Sequence, residues 1–89
     1  MAISFLFMLY VVYILYSNHF DKIYIGFTSD LIGRFHSHNE LGKKGWSIKY
    51  RPWKVIYCDF FEEKHRAMAR EKQLKGAKSR ELIRIKINT

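Results

Sequence analysis

The sequence predicts a small α+β domain, with a three-stranded, mostly antiparallel sheet flanked by helices in the order β-β-α-β-α-α. Three observations predict this class: two apolar runs joined by a short polar turn, a third such run in mid-chain, and helical segments after the second and third runs. The chain has 89 residues, which suits one domain. We expect a single domain over 1–89, with a core at about 9–85 and an apolar extension at 1–8.

The three strands are predicted from their apolar patterns. Residues 9–17 are apolar on both alternating faces, as in a strand that is covered on both sides. The turn "SNHFD" leads to a second strand at 22–27, so the pair predicts an antiparallel hairpin. Gly26 stands near its end, where the backbone needs freedom or close approach. The run "WKVIYCDFF" predicts the third strand.

The helices are predicted from their start and stop signals. Thr28, Ser29 and Asp30 are good N-caps for a first helix, and Gly42 is a plausible end. The segment "EEKHRAMAREKQLKG" predicts a second helix that ends at Gly76, and a short last helix is expected to start near Ser79. The basic and aromatic segment "KKGWSIKYRPW" is predicted to be irregular.

The charge of the chain favours a polyanionic partner. Sixteen Lys and Arg residues stand against eight Asp and Glu residues, for a net charge of +8. This excess favours nucleic acid or an acidic membrane surface, while a soluble protein with a basic surface is the plain alternative. The basic residues concentrate between Leu41 and Cys58 and again from Lys64 to Lys86.

The cysteine, histidine and hydropathy patterns argue against several other classes of protein. Cys58 is the only cysteine, so no internal disulfide can form, and this suits a reducing, cytoplasmic compartment. His36 and His38 lie two positions apart with no paired cysteines, so we do not expect zinc. The apolar start of the chain is too short for an ordinary spanning helix and lacks a preceding basic residue, so we expect neither a membrane span nor a signal peptide.

Two helical positions carry charges where apolar side chains are expected. Ala67, Glu71 and Leu74 fall on one stripe of the second helix, with Met68 beside it. A carboxylate there must be paired, bind a cation or lie at an open cleft. The plain alternative is a rim glutamate in a salt bridge with Arg70, Lys75 or Arg34.

The first helix has a comparable feature. Arg34 and His38 are four residues apart and share one face, next to the packing side that carries Leu31 and Phe35. This pair is either part of a site or a solvated basic face.

Taken together, these residues resemble the GIY-YIG nuclease domain. The resemblance covers about residues 9–85, where "VVY" stands at the first triplet and "YIG" at the second, and "RPWKVIY" and "REKQLKG" match the third strand and helix of small stand-alone bacterial members. These members are similar to the nuclease domain of the excision-repair incision enzyme. The matching side chains occur in order and in the expected elements: Tyr13, Tyr24, Arg34, His38 and Glu71.

The resemblance implies a divalent-metal-dependent endonuclease that hydrolyses DNA phosphodiester bonds. It implies that Glu71 is the one protein ligand of Mg²⁺ or Mn²⁺, and that Arg34 holds the scissile phosphate. Tyr13 or Tyr24 would deprotonate or orient the attacking water, and His38 would relay a proton or contact the phosphate. No small-molecule cofactor is implied.

Two departures from the family pattern bear on this reading. Val11 replaces the first glycine, and Phe27 stands where many members carry a lysine. Lys22, Lys43 or Lys44 could replace that lysine.

The expected partner is DNA, possibly branched or damaged as in DNA repair, with structure-selective or weakly sequence-specific cutting and no membrane. The residues expected to contact it are Lys43, Lys44, Lys49, Arg51, Lys72 and Lys75. The alternative is a nucleic-acid-binding module of the same fold that cleaves weakly. In that module Trp46, Tyr50 and Trp53 could stack on bases, although we expect Trp53 to cover the sheet.

Overall fold

The computed structural model describes residues 9–43 and 45–89, and in them the predicted α+β fold is confirmed. The predicted extension at 1–8 and Lys44 lie outside the described residues. The elements are β1 Tyr10–Ser17, β2 Lys22–Thr28, α1 Leu31–His36, a π-helix Ser37–Leu41, a 3₁₀-helix Trp46–Tyr50, β3 Lys54–Phe61, α2 Lys64–Leu74 and α3 Ala77–Ile87.

The sheet has the strand order β2-β1-β3, and both pairs are antiparallel. Strand β1 is therefore central, which explains why every residue from Val11 to Ser17 is buried. Tyr13 lies opposite Gly26 in β2 and opposite Cys58 in β3. The register thus places one tyrosine of the predicted pair in the middle of the sheet.

The two faces of the sheet bury different clusters. Alternate residues of β1, including Val12 and Ile14, pack with Ala67 and Leu74 of α2. The other face buries Tyr13, Leu15 and Trp53, with Tyr24, Leu31, Phe35, Tyr50 and Cys58 packed against them. The alternation of side chains in a strand produces this division. The predicted role of Trp53 in covering the sheet is confirmed.

The first helix starts as predicted and changes pitch before it ends. The side chain of Asp30 caps it, with the Gly33 N–H donating to Oδ1 at 3.0 Å. After His36 the chain continues as a π-helix, and the Gly42 N–H donates to the Ser37 carbonyl at 2.8 Å. Widened turns of this kind are frequent at functional sites.

Two predictions about the later elements need correction. The last helix starts at Ala77 rather than near Ser79, directly after Gly76, whose extended backbone forms its N-cap. The segment predicted to be irregular contains the 3₁₀-helix.

Across residues 9–43 and 45–89, no helix combines the length and apolar character that a membrane span requires.

Gly26 is the position where the sheet most needs a glycine. A Cβ atom built there would lie 2.7 Å from the Tyr13 hydroxyl oxygen and 2.9 Å from its Cζ. Tyr13 is 2% exposed, so its ring cannot move away into solvent. The Tyr13 phenol therefore crosses directly over the β2 backbone at this residue.

We expect Gly26→Ala to lower the free energy of unfolding by about 1–3 kcal/mol, as overpacking in a filled core does. Urea denaturation followed by circular dichroism measures this change. Gly76→Ala is the matched control, since its φ is −64° and the nearest contact of its Cβ would be 3.3 Å. Equal stability of the Gly26→Ala variant and the wild type would contradict the close approach.

Candidate active site

Tyr13 lies at the centre of the candidate site. Its hydroxyl oxygen is 3.0 Å from Nε2 of His38, which comes from the π-helix that follows α1. Both side chains are buried, with Tyr13 at 2% and His38 at 8% exposure. The hydrogen bond joins residues 25 positions apart and fixes the π-helix against the central strand.

A second hydrogen bond fixes the other nitrogen of His38. Nδ1 is 2.8 Å from the hydroxyl oxygen of Ser47, in the 3₁₀-helix. Ser47 was not among the predicted site residues, because no local pattern relates a serine in an irregular basic segment to a histidine nine positions earlier. The imidazole is held from both sides, so its orientation is determined by the fold.

Burial sets the protonation of this pair. Desolvation raises the pKa of the Tyr13 phenol far above its ordinary value, and neighbouring Tyr24 adds to the rise. Desolvation also lowers the pKa of His38, with further lowering from the charges of Arg34 and Arg51. Both groups are therefore neutral near pH 7. The consistent assignment has the phenol donating to Nε2 while the Nδ1–H donates to the Ser47 hydroxyl.

Tyr24 completes an aromatic group around the histidine. Its ring centroid lies 4.3 Å from that of His38 and 6.2 Å from that of Tyr13. Unlike Tyr13, Tyr24 is only half-buried and lines a cavity at the β2 edge. The two predicted tyrosines thus meet at one place, one enclosed and one open.

Arg34 and Glu71, which lie on two different helices, carry opposite charges that both influence the Tyr13 phenol. The guanidinium of Arg34, on α1, opposes the rise in the pKa of Tyr13, whereas the carboxylate of Glu71, on α2, adds to it. Arg34 is exposed, and the Glu71 side chain is 20% exposed. Both charges act on the buried phenol, so both lie within electrostatic reach of it.

Glu71 has the partner that the plain alternative expected. Its Oε1 lies 3.5 Å from Nζ of Lys75, one turn along α2. The predicted stripe is half apolar, since Ala67 and Leu74 are buried while Met68 is 48% exposed. Glu71 therefore lies at the boundary of the core, paired with a lysine and open to the site.

Arg51 was predicted to contact DNA, and in the structure its guanidinium donates hydrogen bonds to backbone carbonyls. Its Nε donates to the His38 carbonyl at 2.6 Å, and its Nη2 donates to the carbonyls of Ser37 at 3.1 Å and Gly42 at 2.6 Å. These bonds satisfy the carbonyls of the first two residues of the π-helix and of Gly42, which follows its last residue. Arg51 is thus a positioning residue for His38, and its contact with DNA stays a prediction.

The other residues predicted to contact DNA lie on the surface. Lys43, Lys49, Lys72 and Lys75 are exposed. Lys22, a predicted substitute for the lysine missing at position 27, lies over the Tyr50 ring at 5.3 Å. Phe27 packs against the cluster on the α2 side of the sheet.

The donor chemistry of the site fits a hard divalent cation held by one carboxylate. Among residues 9–43 and 45–89, no group of three or more His, Cys, Asp and Glu side chains could enclose a metal ion. A single carboxylate such as Glu71 suits Mg²⁺, which keeps most of its water ligands. None of the predicted site residues lines the larger cavity of about 450 Å³. Its lining includes Ile14, Ile56 and Ile83.

The three-stranded antiparallel sheet with its flanking helices is consistent with the fold of a small nuclease domain. Residues 9–84 match the family model described as the GIY-YIG catalytic domain. The chain therefore belongs to the GIY-YIG family, as the resemblance of its motifs predicted.

Two relatives are similar to most of the chain. A UPF0213 protein of Limosilactobacillus reuteri (strain DSM 20016) is 41% identical over 64 residues, which are 70% of this chain and 66% of the relative. A UPF0213 protein of Pediococcus pentosaceus (strain ATCC 25745 / CCUG 21536 / LMG 10740 / 183-1w) is 40% identical over 59 residues, which are 62% of this chain and 58% of the relative. The chain thus covers less than two thirds of the length of each relative. No solved structure matches the chain.

The burial of His38 predicts a loss of stability at acid pH. The pKa of His38 is lower in the folded protein than in the unfolded chain, so the unfolded chain takes up a proton first as the pH falls. The free energy of unfolding should then decrease as the pH drops below about 6.5, until the folded state is protonated too. Nitrogen-15 NMR titration of the imidazole measures the shift directly, with His38→Gln to assign the signal. A His38 pKa above 6.5 would contradict its buried, neutral state.

Proposed function

We propose that the chain is a divalent-metal-dependent endonuclease that hydrolyses DNA phosphodiester bonds. The observation that carries this proposal is the hydrogen bond between buried Tyr13 and neutral His38, which lies within reach of the charges of Arg34 and Glu71. A nuclease needs a proton acceptor for the attacking water and a cation at the scissile phosphate. Tyr13 and His38 would supply the proton acceptor, while Arg34 and a cation held by Glu71 would supply the positive charge.

Tyr13 and His38 together accept the proton of the attacking water. A phenol whose pKa is raised by burial does not act as a free phenolate base at neutral pH. Its oxygen can take a proton from water while its own proton passes to Nε2 of His38, 3.0 Å away. The water becomes the attacking hydroxide, and His38 becomes the imidazolium. Ser47 holds the imidazole in the orientation that this transfer needs, and Arg51 holds the backbone of His38 through its carbonyl.

Arg34 and Tyr24 act on the substrate side. The exposed guanidinium of Arg34 holds the scissile phosphate and offsets the charge that develops on it. Half-buried Tyr24, packed against the His38 ring, orients the water beside Tyr13.

Glu71 would hold the divalent ion, Mg²⁺ or Mn²⁺. When bound, such an ion stabilises the leaving oxygen and the phosphoryl charge. Lys75, whose Nζ lies 3.5 Å from Oε1 of Glu71, pairs with that carboxylate at the edge of the site.

The substrate is DNA, cut in a structure-selective or weakly sequence-specific way. The net charge of +8 and the exposed lysines of the loop and of α2 support a phosphate backbone as the ligand. Branched or damaged DNA, a role in DNA repair and a cytoplasmic location are parts of the same proposal.

A catalytically weak nucleic-acid-binding module is the second candidate. Its support is Trp46, which is 46% exposed at the edge of the basic loop. Base stacking on such a ring gives binding without cleavage. A DNA-nicking assay with and without a divalent metal ion separates the two candidate functions.

We expect Glu71→Gln and Arg34→Ala each to reduce nicking of plasmid or branched DNA by at least about 100-fold, the usual cost of removing a transition-state contact. The assay compares Mg²⁺, Mn²⁺ and EDTA, and gel electrophoresis measures the nicked product. Glu81→Gln is the matched control, because Glu81 is exposed on α3.

Salt-sensitive binding without metal-dependent nicking on any substrate would instead favour the binding module. Nicking that persists undiminished in Glu71→Gln would contradict the assigned role of this carboxylate.

A further inference from the structure

A second cavity adjoins the candidate site along the outer edge of β2. Its volume is about 270 Å³, and it is lined by Ile23, Tyr24, Ile25, Trp46, Lys75 and Arg80. Two residues link it directly to the site. Tyr24 packs against the His38 ring at 4.3 Å, and Lys75 pairs with Glu71 at 3.5 Å. A ligand in this cavity would therefore lie next to the reacting phosphate.

Trp46 gives the cavity a fixed aromatic surface. Its ring packs against Tyr50 at 4.7 Å and against Trp53 at 5.9 Å, measured between centroids. It nevertheless remains 46% exposed, whereas Trp53 is 3% exposed. An exposed ring that is supported by other aromatic side chains loses little conformational freedom when a base stacks on it. Of the two loop tryptophans, Trp46 is thus the available one.

Two cations complete the lining. Arg80 donates one hydrogen bond from Nε to the Lys75 carbonyl at 3.3 Å, which ties its guanidinium to the end of α2. A guanidinium has five N–H donors, so this bond leaves others for a phosphate. Lys75 and Arg80 are both exposed. The cavity thus combines an aromatic surface with two positive groups, which is the combination that binds a nucleotide.

We propose that this cavity takes one unpaired nucleotide next to the scissile phosphate, with its base on Trp46 and its phosphate on Lys75 and Arg80. The proposal rests on the nuclease function above and specifies its substrate class. A base offers a free face to Trp46 only when it is outside a continuous duplex stack. The preferred substrate is therefore DNA that is single-stranded beside the cut, as at a flap or a junction.

Binding without cleavage tests this proposal. Fluorescently labelled duplexes with and without a single-stranded flap are titrated with the Glu71→Gln protein in EDTA. Trp46→Ala should weaken binding to the flap by about 5- to 150-fold, the range for one aromatic–base stack, and leave duplex binding unchanged. Trp46→Phe should retain most of the affinity, which separates stacking from loss of folding. Phe60→Ala is the matched control, because Phe60 is 50% exposed and lies on β3, at the opposite edge of the sheet.

Arg80→Ala tests the phosphate contact. It should weaken flap binding and reduce the slope of log affinity against log salt by about one. Arg66→Ala is its control, since Arg66 is exposed near the start of α2. Equal losses on flap and duplex, or a Trp46→Ala effect no larger than that of Phe60→Ala, would overturn the proposal.

The two proposals fail in different ways. Trp46-dependent flap binding by a protein that never cleaves supports the cavity and removes the nuclease function. The cavity proposal is overturned if the wild type and Trp46→Ala both show metal-dependent cleavage with no preference for flaps. That result leaves the nuclease function in place.

Discussion

The close approach of the Tyr13 phenol to Gly26 is the constraint on which the rest of the structure depends. The central strand is buried on both faces, and its tyrosine reaches His38 only because the opposing residue has no Cβ. His38 in turn is held by Ser47, and the end of its helix is held by Arg51. A packing requirement in the sheet thus determines where the π-helix and the basic loop come to lie.

Burial also decides the chemistry of this pair. Desolvation is the largest influence on both Tyr13 and His38, and it makes both neutral, while the charges of Arg34 and Glu71 make smaller contributions. In the proposed mechanism a proton moves through the hydrogen bond to His38, without first forming a phenolate. The charged groups lie at the open side, where a phosphate and a cation would be bound.

The sequence predicted well what is set locally. The strand pattern agrees with the structure, and the first helix is capped by Asp30, one of the three predicted cap residues. Glu71 lies on the same helix as the buried Ala67 and Leu74. The contacts of Ser47 and Arg51 could not be predicted, because they join irregular segments whose distance depends on tertiary packing. The burial of Trp53 was predicted, whereas the 46% exposure of Trp46 depends on how the basic loop packs and could not be predicted from its sequence.

The proposed function depends on one proton path, which runs from the attacking water through Tyr13 to His38. Single-turnover cleavage rates of the wild type, Tyr13→Phe, His38→Gln and the double variant measure this most directly, with thermal unfolding of each protein to establish that it is folded. If the two groups act as a unit, the double variant should be about as slow as the slower single variant. Losses that multiply in the double variant would contradict the shared path.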